Sequence, residues 1–228
     1  MIHNRGGSVF SAMTKILTHT QSSFSQRAGK WLLSGLAALS LSACAGGLLA
    51  LEKPSYTVVA EADGIEFRRY ESYLVAETLV TDVADYNAAA NEGFRRLFDY
   101  ISGDNQPADK IAMTAPVQQY RQDQGWLISF MVPTKYRLAD APQPADPRVR
   151  IREVQGQLTA ALRFSGRWTG RNIEAHRDQL LEQLAALGVT PTGDVASAAY
   201  NPPFMPPFMR RNEMLVPVDK IPAVVAGS

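Results

Sequence analysis

The spacing of apolar residues switches between two periods along this chain, and it does so twice. A period of two belongs to strands and a period near 3.6 to helices, so the switching fixes most of what the chain can fold into. Alternation runs through residues 56–61 and 65–70, joined by Ala62-Asp63-Gly64, a hairpin signal, and through 73–81. In the second run Ile65, Phe67 and Arg69 share one face. From Asp85 the period changes. Tyr86, Ala90, Phe94, Leu97 and Ile101 then recur at helical spacing, with Asp85 as the N-cap and Gly103 as the stop. Strands are expected next over 111–119 and 126–132, turning at Asp123-Gln124-Gly125.

The order then repeats. After an exposed connection at 139–147, which holds three prolines, strands are expected over 149–154 and 158–164, about Gln155-Gly156-Gln157. In the second of these Leu158, Ala160, Leu162 and Phe164 face one way. Asn172 is the expected cap of a helix to Leu187, with Ile173, Leu180, Leu184 and Leu187 on one side and Gly188 ending it. Strands near 198–200 and 213–218 close the pattern. Each half reads strands, helix, strands. Two sheets, each carrying a helix on one face, predict an α+β fold, packed as an open barrel or a sandwich.

Ahead of this pattern lies a different segment. Arg27 and Lys30 precede an apolar run at 31–41, too short to span a bilayer, which needs about 20 residues. It has the length of a signal-peptide core and ends in Leu41-Ser42-Ala43-Cys44. Cys44 is the only cysteine. The expectation is a lipoprotein signal peptide over 1–43, with Met13 as an alternative start, acylation of Cys44, and a flexible tether over 44–55. Ala45 gives no inner-membrane retention signal, which favours an outer-membrane lipoprotein facing the periplasm. Acylation leaves no thiol for a disulfide. Residues 1–43 hold four basic residues and no acid. Of the 23 basic residues 19 therefore remain against 22 acidic ones, about −3 in net charge. A domain of that charge has no global basic field, and nucleic acid is not an expected partner.

Two segments are specific. One is Lys110-Ile111-Ala112-Met113-Thr114-Ala115-Pro116-Val117; the other is Tyr200-Asn201-Pro202-Pro203, followed by Arg210-Arg211-Asn212-Glu213. Met113 and Val117 would share one face of a strand, and Pro116, lacking an N–H, marks an edge or bulge. The proline-rich stretch 202–207 is stiff and holds Phe204, Met205 and Phe208 in fixed directions, at the surface or along a cleft. Arg210, Arg211 and Glu213 suggest either a salt bridge locking the last strand or a contact to a ligand carboxylate. At this spacing, with Glu66-Phe67-Arg68-Arg69-Tyr70 as an early strand, the chain resembles the SOUL haem-binding family. The resemblance covers 56–218, leaving 219–228 as a tail; it implies a distorted antiparallel β-barrel flanked by two helices, with the pseudo-twofold repeat read above, and it extends in fold to GyrI-like small-molecule binders.

The resemblance implies a non-covalent haem or tetrapyrrole ligand in a pocket along the first helix. A haem site needs an apolar wall, a cation near its rim and, optionally, an axial ligand. The first helix offers Phe94, Leu97, Phe98 and Ile101, with Phe98 slightly off the core stripe, and Arg95 and Arg96 on its flank. Met113, Tyr200 and Met205 are further contacts. His176 is the only histidine after Cys44 and the candidate metal ligand, with Met113, Met131, Met205 and Tyr200 as alternatives. One histidine excludes bis-histidine ligation in a monomer, so binding would rest on apolar contact.

Catalysis has little support in the sequence. There is no Gly-x-Ser-x-Gly elbow, no phosphate loop and no histidine pair at zinc spacing. Glu153, Glu174 and Glu182 read as solvated charges. Glu77, inside an otherwise apolar strand, is the carboxylate that would grip a cationic ligand if the chain were a GyrI-like binder instead. The expected function is a haem carrier or buffer in the cell envelope. The alternatives are a binder of another small molecule, or an envelope interaction protein without one.

Overall fold

A computed structural model describes residues 51–223. The expected signal segment, Cys44 and the end of the expected tail lie outside the described residues. Nine strands form one continuous sheet. In chain order they are β1 (Tyr56–Ala62), β2 (Ile65–Tyr70), β3 (Tyr73–Thr81), β4 (Val117–Gln122), β5 (Gly125–Met131), β6 (Val149–Val154), β7 (Leu158–Phe164), β8 (Ala196–Ala199) and β9 (Asn212–Pro217). Helix α1 (Tyr86–Ile101) follows β3, and α2 (Gly170–Ala186) follows β7.

The sheet order is β1-β2-β7-β9-β8-β4-β5-β3-β6, and every pairing is antiparallel. It is an open, curled half-barrel. The expected repeat is visible in that order. Reading outward from the central β8–β4 pair, β4, β5, β3, β6 on one side match β8, β9, β7, β2 on the other. The halves do not make two separate sheets, as the pattern suggested. Ala196 to Ala199 pairs with residues 117–120 and fuses them edge to edge.

Alternation sends each strand's residues to two different faces. On the helix side, α1 covers Leu74, Ala76, Val80, Ile128 and Phe130, while α2 covers Ile65, Phe67, Leu162, Met214 and Val216. A third, smaller cluster lies on the opposite face, at the centre: Ala115, Ala161, Ala196, Ala198, Tyr200 and Leu215. All three clusters close within the described residues, and the unit from Leu51 on is compact by itself. Such a unit carries what it needs to fold alone.

Four expectations need correction. The stripe of α1 is rotated: Tyr86, Ala89, Gly93, Leu97, Tyr100 and Ile101 are buried, while Ala90 and Phe94 lie on its flank. Gly93 explains this. A Cβ there would lie 2.6 Å from Ile128 Cγ1, so only glycine lets the helix lie this close to β5. The strand expected from Ile111 starts only at Val117. Pro116 cannot donate, Thr114 Oγ1 instead donates to the carbonyl of Met131 at 2.7 Å, and Ala115 N–H donates to that of Glu52. Helix α2 is capped by Thr169, three residues before the expected cap. Asn172 instead donates to the carbonyls of Ser165 and Arg167. Finally, residues 51–55 are not free tether. Leu51 packs on the central cluster and Pro54 is buried, because an apolar residue finds small alanines there to cover.

Candidate functional site

Helix α1 carries most of the expected site. Asp85 accepts from Ala88 N–H at 2.8 Å and fixes its start. Leu97 and Ile101 point into the core beneath it. Phe94 and Phe98, one turn apart, are only half-buried. Their rings lie 5.9 Å apart and nearly parallel, at 11°, and Phe94 also meets Phe130 edge-on at 5.2 Å. Met113, Val83 and Tyr136 pack against the same cluster. The result is a shallow aromatic wall whose outer side faces solvent.

Cations border it. Arg95, three residues before Phe98, has a side chain 55 % exposed and an ion pair with Glu92 at 2.6 Å. Its hydrogen bonds and charge hold the Glu92 carboxyl below the usual range. Arg148, also exposed, lies close enough for its charge to be felt at Arg95, and pairs with Asp146 at 2.6 Å. That pair lowers Asp146 to about 2. Both are exposed pairs, and solvent leaves such arginines free to exchange partners at little cost. Arg96 is different. Its guanidinium holds Glu92, Thr78 Oγ1 and the carbonyl of Leu79, so it clamps α1 to β3.

Of the expected contacts, Phe94, Arg95, Leu97, Phe98, Ile101 and Met113 therefore gather about α1, and the other three lie elsewhere. Tyr200 is buried in the central cluster, where its hydroxyl donates to Glu213 Oε2 at 2.7 Å; burial pushes its pKa far up. Met205 is half-buried in the loop before β9. His176 belongs to α2. Its ring stacks on Phe164 with centroids 4.0 Å apart, and Nδ1 is 2.7 Å from the carbonyl of Asn172. It packs on the second half's core and not on the aromatic wall. Among the described residues no three or more His, Cys, Asp or Glu side chains cluster to hold a metal ion. An open recess of about 610 Å³ lies at the β4–β5 turn, lined by Leu79, Arg121, Gln122, Asp123, Gln124 and Asp194. None of the expected site residues lines it.

The face away from the helices holds two buried carboxylates that strand pattern alone does not reveal as a pair. Glu213 on β9 is completely buried. Arg68, 1 % exposed, donates to it twice, at 2.7 and 2.9 Å, and Arg211 and Tyr200 complete its shell. Burial works to raise the Glu213 pKa, but the Arg68 hydrogen bonds and charge, with Tyr200 and Arg211, outweigh it and hold the carboxyl below its usual range. The charged motif thus locks the last strand to β2. Arg210 takes no part and binds the carbonyls of Met205 and Pro203. Glu77 on β3 is equally buried and is held by Arg150 at 2.7 Å and Arg152 at 3.0 Å. It is not a free carboxylate.

The fold is thus a curled half-barrel with two helices on one face and charge locks on the other, and comparison with known proteins gives its family. The sequence model described as SOUL heme-binding protein matches residues 51–217, and the chain belongs to that family. It is 31 % identical over 157 residues to mouse heme-binding protein 1, covering 65 % of this chain and 81 % of that protein. To mouse heme-binding protein 2 it is 31 % identical over 144 residues, covering 58 % and 67 %. The crystal structure of the EcmrR C-terminal domain superposes with a TM-score of 0.53 at 10 % identity, covering 73 % of this chain and 99 % of that one, a likeness of fold alone.

Proposed function

We propose that this chain binds haem or a related tetrapyrrole non-covalently and acts as a carrier or buffer in the cell envelope, anchored by acylated Cys44 on the periplasmic side of the outer membrane. The supporting observation is the parallel Phe94–Phe98 pair, half-exposed on α1 beside Arg95, in a chain of this family. A flat apolar ring can lie against the outer side of this stacked aromatic pair, and propionates can exchange for Glu92 and Asp146 on Arg95 and Arg148. The residues present fit a ring held by contact. They do not supply a histidine at the wall, since His176 is packed on Phe164. Met113 is the sulfur donor packed on the same cluster. The role is binding, with no step of covalent chemistry.

Haemin titrated into residues 51–228 should give a saturable Soret shift at low micromolar haemin, weakened by Arg95→Glu. Absence of saturation ends this proposal. Acylation is read separately, from the mass of the protein extracted from membranes, where Cys44→Ala should abolish the lipid increment. The second reading, a binder of cationic ligands through Glu77, is weakened because two arginines already neutralise that carboxylate.

A further inference from the structure

The stretch 200–211 makes a loop that the haem reading does not use. Phe204, Phe208 and Met209 are 60 %, 79 % and 61 % exposed, three large apolar side chains within six residues. Apolar groups gathered at one exposed tip mark a contact surface. The loop is also built to hold them out. Four prolines limit its backbone, Met209 N–H closes a turn onto the Pro206 carbonyl, and Arg210 ties down the carbonyls of Met205 and Pro203. Asn201 Oδ1 accepts from Arg211 N–H at 2.6 Å and pins the base.

Its surroundings are basic. No acid occurs from Val195 to Asn212. Gly166 N–H donates to the Pro207 carbonyl, which brings the β7–α2 connection alongside, with Arg167 and Arg171 exposed and in no ion pair among the described residues. The start of the described chain is also here. Lys53 Nζ sits 5.7 Å from the Tyr200 ring centre, and Tyr56 OH accepts from Arg211 at 3.4 Å. Cys44 is only seven residues before Leu51, a reach of at most about 25 Å.

We infer that this loop docks the protein on a lipid bilayer carrying anionic headgroups, with Phe204, Phe208 and Met209 entering the interface and Arg167 and Arg171 meeting phosphates. Aromatic and apolar side chains beside arginines suit that boundary, and a loop already rigid loses little entropy on entering it. The loop is a second contact, independent of haem and of the acyl anchor, that would set which face of the domain meets the membrane.

The test uses unacylated residues 51–228, which contain no cysteine. They are sedimented with vesicles of phosphatidylcholine containing or lacking phosphatidylglycerol. Retention on the anionic vesicles is expected, falling at least tenfold in Phe204→Ser/Phe208→Ser/Met209→Ser and also in Arg167→Glu/Arg171→Glu. The haemin titration should stay unchanged, which separates this inference from the haem reading. Phe208→Ser alone serves if the triple variant melts early. A wild-type domain that stays in the supernatant, or a triple variant retained like wild type, overturns the inference.

Discussion

Glu213→Gln keeps the shape of the side chain and removes its charge. The consequence can be worked from the structure. Arg68 is 1 % exposed and Arg211 largely covered, so two cations would remain with only Glu66, at 2.7 Å from Arg68, as a carboxylate. Removing one partner of a buried pair costs about 3–5 kcal/mol, because the other charge stays out of water. A domain of this size has about 5–15 kcal/mol in all, and each 1 kcal/mol moves its melting point by about 2–4 °C. Urea and thermal unfolding of residues 51–228 should therefore show a melting point lower by roughly 6–20 °C. Replacing both partners, Arg68→Met with Glu213→Leu, should recover most of the loss. The pH dependence follows from the lowered Glu213 pKa. Its stabilisation is complete above the ordinary carboxylate range and is lost as pH falls through the folded-state value. Wild type should weaken steadily below about pH 4, and the Gln variant should show less of that slope. If Glu213→Gln unfolds within 0.5 kcal/mol of wild type, taken as roughly the range of neutral surface changes, the lock is not structural and the carboxylate is free for a ligand.

Other outcomes follow from single contacts. Gly93→Ala should lower the unfolding free energy measured in urea by about 1–3 kcal/mol, less up to ~1 kcal/mol regained from helix propensity, because its Cβ meets Ile128; Ile128→Val should restore part of it. His176→Ala should leave the haemin spectrum unchanged, since that ring is stacked on Phe164; a lost Soret shift would make it the ligand. Leu97→Ala should cost about 2–5 kcal/mol of stability from its fully buried position.

The element pattern is legible because both helices bury one face and wet the other, while the strands are short runs rich in apolar residues bounded by turns. Tyr73–Thr81 and Leu158–Phe164 could be read to the residue. The failures have physical causes. Glycine carries no apolar signal, so the true stripe of α1, built on Gly93, was read one position off. Arg68 and Glu213 are 145 residues apart, and a charged residue in a strand reads as outward until its partner is known. Leu51 reads as tether because the cluster it packs on is assembled from residues 115–215, far along the chain. Phe94, Leu97, Phe98 and Ile101 lie together on α1, as helical spacing alone requires. Tyr200 and Met205 were grouped by motif, and motif does not carry position: the first serves the charge lock and the second the apolar loop.

The decisive measurement is equilibrium haemin binding by residues 51–228, wild type against Phe98→Ala. Saturation at one haemin per chain is predicted, with affinity about tenfold weaker in the variant, a little below the gain from fully burying one phenylalanine. A variant that binds as tightly as wild type, with its fold intact, would show that the stacked pair on α1 is not where the ligand rests.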